Sequence, residues 1–156
     1  MNPGMSAASK RLPEWKGNMI IRHATLKDVE ACFNLANIPE LEIQGGGSPP
    51  KFWFEAVINK KQIFLVAEEN KNIIGFRMGE RIAGNIAFAH LFVVKEEYRN
   101  KGIGSMLSKA FEKECKKRGI NLILCNAYAK NRKTLNFFRK QGYMKGSLVY
   151  ELAKKL

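Results

Sequence analysis

Apolar and polar positions recur along the chain with two periods, and the switches between them mark its elements. Met19 to His23 reads as a short strand. Leu26, Val29, Cys32, Phe33 and Ala36 then recur at helical spacing, and Thr25-Leu26-Lys27-Asp28 sets an acid three residues after a capping threonine. Pro39 ends that helix. Gln44 to Pro50 holds three glycines and two prolines, which predicts a flexible loop. A second helix is predicted over Lys51 to Lys60, rich in aromatics at Phe52, Trp53 and Phe54. Strands follow at 63–68, 72–80 and 85–94, with turns at Asn70-Lys71-Asn72 and Gly84. The 85–94 segment is apolar on both faces, as in a sheet interior. Ile103, Met106, Leu107, Ala110, Phe111 and Cys115 form the stripe of a helix running to Arg118, stopped by Gly119. A strand at 121–127, a helix at 132–141 and a terminal strand around 147–152 complete the pattern. Residues 1–18 show no period and are predicted to be a flexible extension, which leaves 19–156 as one domain. The order β-α-α-β-β-β-α-β-α-β indicates an α/β or α+β domain with a mixed central sheet flanked by helices.

Composition agrees with a single domain. The chain has 156 residues, 46 % of them apolar, enough to build a core. No apolar run approaches the roughly 18 residues of a membrane span. Met1 to Gly17 lacks the apolar centre of a secretory signal. Cys32, Cys115 and Cys125 are sparse and form no CxxC pair, which argues against a metal site and fits reduced thiols in a cytoplasm.

Charge changes the picture more. The net charge is +13, and it is uneven: residues 1–94 hold 11 basic and 9 acidic residues, while 95–156 hold 16 basic and 5 acidic. The C-terminal half is built to meet an anion, either a nucleic acid or a phosphorylated cofactor. The informative stretch is Val94-Lys95-Glu96-Glu97-Tyr98-Arg99-Asn100-Lys101-Gly102-Ile103-Gly104-Ser105, where a buried strand ends and a helix opens with two glycines. The first amides of a helix have no internal partners, and the helix dipole adds partial positive charge there. Gly102 and Gly104 carry no side chain to keep a phosphate off those amides. Their alternative role is to shape a tight helix opening. Neither a Walker A loop nor a dinucleotide fingerprint is present, since Leu107 stands where the latter needs a small residue.

The pattern Arg99-Asn100-Lys101-Gly102-Ile103-Gly104 after a strand resembles the acetyl-CoA signature of the GNAT superfamily of N-acetyltransferases. Asn131 to Tyr143, with Asn131, Phe137, Phe138 and Gly142, resembles that superfamily's second block. The element order also matches over 19–152. The resemblance implies a sheet that splays at the cofactor, with acetyl-CoA as co-substrate. Phe92, Val93 and Val94 would pair with the pantetheine arm, and Arg99, Asn100, Lys101, Gly102, Ile103, Gly104 and Ser105 would hold the pyrophosphate. Asn131 and Phe138 would complete the cofactor site. Lys101, Arg132 and Lys133 would meet the outer phosphates or stay solvated. A homodimer is frequent among such proteins.

The implied chemistry is direct attack by a neutral amine on the thioester, with a base for the amine, donors for the carbonyl oxygen and a proton for the leaving thiolate. Backbone amides near Val93 and Val94 would polarise the carbonyl. Two side chains expected from the resemblance are missing. The acid position, seven residues after Asn131, is Phe138, and a common glutamate position is Asn126. His90, four residues before Val94, is the leading base, and alternation puts it on one face with Phe92 and Val94. The same residue also suits a histidine held within the sheet. Tyr128 and Tyr143 are replacement acids, although Tyr143 stands at the family's usual Phe position and suits the core. Cys125, with no histidine near in sequence, reads as a small strand residue rather than a nucleophile. Phe52 to Phe54 would line an acceptor pocket or the core, and Glu40 and Glu42 would attract a cationic amine or simply face water. The acceptor is a small-molecule or peptide amine. A binding module that retains acyl-CoA without efficient catalysis, and a basic nucleic-acid binder, are the competing classes. The latter lacks interleaved aromatic and basic motifs.

Overall fold

The computed structural model describes residues 17–42, 47–150, 152–154 and 156. Five strands form one sheet in the order β1 (Met19–His23), β2 (Ile63–Glu69), β3 (Asn72–Ala83), β4 (Ile86–Val94) and β5 (Leu122–Cys125). The first four pair antiparallel, and β5 joins β4 in parallel. Asn70 and Lys71 both take positive φ, 49° and 65°, the geometry that lets a short hairpin follow the strand twist between β2 and β3.

Helices cover both faces. On one, α1 (Val29–Leu35) and α2 (Lys51–Asn59) bury Val29, Cys32, Phe54 and Val57 against Phe64, Val66, Phe76 and Met78. On the other, α3 (Ile103–Lys117) sets Ile103, Leu107, Phe111 and Cys115 against Ile63, Leu65, Ala67, Ile74, Ala87 and Ala89. The α3 stripe read from the sequence is the buried one, except that Ala110 is partly buried and Met106 is exposed. α4 (Arg132–Lys140) lies on the same side, with Phe137 and Phe138 against Phe92 of β4. The result is the predicted mixed sheet flanked by helices.

Three details differ from the sequence reading. The first helix opens with a 3-10 turn, Leu26–Asp28, before α1. Pro39 does end the helix region, and it also starts a second such turn, Pro39–Leu41. The terminal strand expected at 147–152 is absent from the described residues: 147–150 and 152 have no strand assignment and are exposed. Strand-like alternation needs a partner ladder, and no strand among the described residues pairs with this segment. The extension expected over 1–18 falls mainly on 1–16, and the Gly/Pro loop partly on 43–46, both outside the described residues.

The capping threonine predicts the structure well. The Asp28 carboxylate accepts from Thr25 N at 2.7 Å and Thr25 Oγ1 at 3.0 Å. It also takes a fork from Arg22 of β1, Nη1 at 2.8 Å and Nη2 at 2.9 Å, while Arg22 Nε reaches Glu68 of β2 at 2.8 Å. One nearly buried carboxylate thus ties the first turn to two strands. Arg22 holds the Asp28 carboxyl down at about 2 from its ordinary 3.8, against burial, which pushes it up. The folded value lies below the unfolded one, so this stabilisation is complete above pH 3.8 and is lost as pH falls through about 2. Asp28→Asn should therefore cost about 2 kcal/mol at neutral pH. It should also flatten the acid limb of the melting-temperature profile. An unchanged acid limb would show that the fork carries no linkage.

Candidate functional site

The site begins where the sheet opens. β4 pairs with β5 only from Ile86↔Leu122 to Ala89↔Cys125, so among the described residues His90 to Val94 run on without a strand partner on that side. Against β3 the ladder places Met78 opposite Leu91 and Gly79 opposite Ala89, which leaves His90 as the extra residue of a bulge. The bulge turns the strand over. Before it, Ala87 and Ala89 face α3; after it, Leu91 and Val93 face α1 and α2, while Phe92 and Val94 pack toward α3.

The backbone of the opened end is committed in a regular way. Lys95 N donates to Ile74 O across to β3 at 2.9 Å. By antiparallel alternation, Val93 also turns its amide to β3, and Phe92 and Val94 turn theirs to the opened side. The Val94 carbonyl on that side accepts from Arg99 Nε at 2.9 Å. Of the expected strand-end contacts, Phe92 and Val94 thus offer amides, while Val93 is 4 % exposed and its side chain belongs to the core.

The α3 opening follows directly. Asn100 and Gly102 both adopt positive φ, 59° and 83°, which folds the loop back over the helix axis, and Gly102 is the N-cap. The first helical bond runs from Met106 N to Gly102 O, so the amides of Ile103, Gly104 and Ser105 precede the ladder. Their side chains are otherwise engaged: Ile103 is buried, and Ser105 Oγ accepts from Gln141 Nε2 at 2.9 Å. At these positions the unladdered backbone amides are the groups open to a ligand. Lys101 Nζ lies over the Tyr98 ring, 5.3 Å from its centre. Asn131 caps α4, its Oδ1 accepting from Thr134 N at 3.1 Å, which leaves its NH₂ end as the donor. Two helix N-termini, each flanked by basic residues, follow the ends of the parallel strands β4 and β5, on the same side of the sheet as the opened end of β4. A left-handed glycine cap, unladdered first-turn amides and a strand edge with outward amides fit a ligand with a pyrophosphate at one end and an amide-bearing arm at the other.

His90 stands across the sheet from Phe92 and Val94, not beside them. The alternation argument did not count the bulge. His90 faces the α2 side, 4.9 Å from the Trp53 ring and 5.1 Å from Phe88 by ring centres. Its Nε2 lies 3.1 Å from Glu80 Oε2, an ion-pair separation. The approach is off the hydrogen-bond line, and the buried nitrogen has no hydrogen bond. Burial lowers its pKa, and the Glu80 carboxylate partly offsets this, so the neutral ring is favoured. Glu80, on β3, was not singled out by the sequence reading, and an acid alone in a strand gives no signal until its partner is known. Tyr128 is half exposed and its hydroxyl donates to Glu42 O at 3.3 Å, linking the turn after β5 to the segment before the Gly/Pro loop.

Position 138 is occupied by a buried phenyl ring, 6.3 Å from Phe92 and 5.1 Å from Tyr143 by ring centres. Beneath it lies a residue that the sequence reading missed: Arg77 of β3, fully buried. A lone arginine in the apolar run Ile73-Ile74-Gly75-Phe76-Arg77-Met78 was the available signal. The Cys125 thiol is pushed up by burial, which suits a strand residue better than a nucleophile. A separate cavity of about 260 Å³, lined by His23, Ile58, Gln62 and Arg118 among others, lies by the C-terminal end of α3, away from the opened strand.

The comparisons give the family and the fold. The profile of the acetyltransferase (GNAT) family matches residues 29–143, so the chain belongs to the GNAT acetyltransferase family. No curated protein matches the sequence significantly. Among solved structures, Ard1 from Thermoplasma volcanium superposes with a TM-score of 0.72 at 22 % identity, over 83 % of this chain and 84 % of that one. An aminoglycoside acetyltransferase from an uncultured soil metagenomic sample, solved with sisomicin, gives a TM-score of 0.71 at 17 % identity, over 88 % and 96 %. PaiA N-acetyltransferase from Thermoplasma acidophilum, solved with coenzyme A, gives 0.62 at 24 % identity, over 79 % and 87 %. At these identities the likeness is one of fold.

Gly104 has a second duty that the sequence did not reveal. A Cβ there would stand 3.2 Å from Phe92 Cζ and 3.3 Å from Phe137 Cε2, so the bare backbone lets α3 close on the aromatic pair. Gly104→Val should therefore lower stability itself, by about 1–3 kcal/mol, instead of leaving the fold intact. A melting temperature equal to the parent's would show that the rings move aside freely.

Proposed function

We propose that this chain transfers the acetyl group of acetyl-CoA to a primary amine in a ternary complex. The observation that carries the reading is the combination at one place of an opened β4 edge and an α3 N-terminus with unladdered amides. Acetyl-CoA would bring the activated thioester. The amides of Ile103, Gly104 and Ser105, with Lys101 and Arg99 beside them, hold the pyrophosphate. Phe92 and Val94 align the pantetheine arm as an added strand, and Asn131 donates from the start of α4. The Phe92 and Val94 amides also polarise the acetyl carbonyl, and most of the rate gain is positional.

His90 takes the proton from the amine. It sits at the bulge, on the α2 face, with a neutral ring, and Glu80, 3.1 Å from its Nε2, steadies the charge that it gains. The amine thus arrives from the α1–α2 side, past Trp53, while the cofactor lies toward α3 and α4. Tyr128 shapes that approach through its contact with the Glu42 carbonyl. Among the described residues no helix is long and apolar enough to cross a membrane. Cys32, Cys115 and Cys125 are unpaired, which favours a reducing, cytoplasmic setting.

The test is an amine panel with acetyl-CoA, read by thiol release and by the melting temperature, which acetyl-CoA alone should raise. Binding without turnover on any amine would identify an acyl-CoA-binding module, and absence of binding at millimolar acetyl-CoA would refute the reading. His90→Ala should lower turnover about 10²-fold and leave acetyl-CoA affinity nearly intact. Because burial lowers the His90 pKa from 6.5, parent activity should rise with pH and level off on the acid side of that value. The variant should lose this limb. A limb that survives the substitution would make water the proton acceptor.

A further inference from the structure

The face of the sheet under α1 and α2 is covered over only part of its width. The cluster beneath those helices takes in Phe64, Val66, Phe76 and Met78, and it reaches β4 only at Leu91 and Val93. Before the bulge, Ala87 and Ala89 turn to α3, so Ile86 and Phe88 turn to the α2 side. The ladders set their neighbours on that same side. Glu80 of β3 stands opposite Phe88, Leu124 of β5 beside Phe88, and Leu122 beside Ile86. Leu122 is 47 % exposed and Leu124 41 %, and Ile86 and Phe88 are half-buried. Apolar side chains grouped on an open sheet face mark a contact with another chain or ligand. This patch is continuous with the amine site. The Phe88 ring lies 5.1 Å from His90, and His90 lies 4.9 Å from Trp53, by ring centres. Glu80 is the one acid in β3, β4 and β5, and it lies 3.1 Å from His90.

We propose that this patch receives the apolar N-terminal segment of a peptide whose terminal amine is the acetyl acceptor. This rests on the acetyl-transfer reading. From His90 back to Ile86 the strand runs about 13 Å, at the rise of a β-strand. An extended peptide of about four residues spans that length. With its amine at His90, it turns alternate side chains onto Phe88 and Leu124 and then onto Ile86 and Leu122. The patch is open on its outer side, since β5 is the edge strand among the described residues. Small ligands are held in concave sites that enclose them, whereas an open sheet face suits a chain segment. Charge favours the same class. One acid beside one base suits a substrate with a single amine, and the net charge of +13 repels a polycation. Aminoglycosides and polyamines are therefore disfavoured, and so are peptides with basic residues behind the amine.

The test uses two peptides that share the first residue and an acidic tail. They differ only in the residues between, Leu-Phe-Leu in one and Ser-Gly-Ser in the other. With acetyl-CoA, kcat/KM should favour the apolar peptide at least about tenfold, chiefly through KM. A polyamine and an aminoglycoside should fall below it. Leu122→Ser and Leu124→Ser change exposed side chains, so both variants should keep the parent's melting temperature. In each, the ratio between the two peptides should fall severalfold toward one. Equal kcat/KM on the two peptides, a preference for the polycations, or a ratio untouched in both variants overturns the proposal. Two other occupants of the patch are read on the same samples. A parent dimer that either variant dissolves, seen by sedimentation, makes the patch an interface between copies. Nuclear Overhauser contacts from Leu124 to Leu148, Val149 or Tyr150 make it the seat of the chain's own terminal segment. Either result overturns the proposal. Titrating the apolar peptide without acetyl-CoA should shift the methyl resonances of Leu122 and Leu124. Turnover on other amines with those methyls unmoved overturns the proposal alone. Absence of turnover on every amine, with acetyl-CoA unbound, sinks the acetyl-transfer reading itself.

Discussion

One extra residue in β4 decides what the rest of the molecule can do. With His90 bulged out, the strand reverses which side chains face which helices, and beyond that point it has no partner on its outer side. A strand edge left open in a sheet interior exposes unpaired amides, which a folded protein ordinarily covers. Here both faces stay packed, by α1 and α2 on one side and by α3 and α4 on the other, so the edge persists as a slot instead of collapsing. The slot has two chemically different sides. His90, Glu80 and Trp53 lie on one, and the helix N-termini and aromatic rings lie on the other. The function proposed above uses that separation, with the nucleophile and the acyl carrier on opposite faces of one strand.

The strongly basic C-terminal half then has a structural meaning. Five of its sixteen basic residues, Lys95, Arg99, Lys101, Arg132 and Lys133, flank the starts of α3 and α4, where backbone dipoles already point positive, while Lys116, Lys117, Arg139 and Lys140 sit in the last turns of the same helices. Among them Lys95 pairs with Glu97 at 2.8 Å. Arg77 adds a cation of another kind, buried and without a carboxylate. On the acetyl-transfer reading proposed above, these surface charges gather a phosphorylated ligand.

Much of this was legible in the sequence. The Arg99 to Ser105 motif and the Asn131 to Tyr143 block each fell on the element they implied, because glycines and caps encode backbone geometry locally. Three things were not legible, each for a physical reason. The β4 burial alternates without a break from Ile86 to Val94, so the bulge at His90 is invisible when both faces are apolar. Gly104 was read as room for a phosphate, and only the Phe92 and Phe137 rings show that it is also room for packing. The terminal segment alternates like a strand, but pairing is non-local, and no neighbour among the described residues receives it.

The central claim is that the opened end of β4 and the start of α3 form one binding surface for acetyl-CoA. It is tested most directly by titrating the isotopically labelled protein with acetyl-CoA and following its backbone amide resonances. The account predicts that the largest changes fall on Phe92, Val94, Ile103, Gly104 and Ser105, with a smaller group at Asn131. Changes confined to the cavity around His23 and Arg118, with the amides of β4 and α3 unmoved, would contradict it.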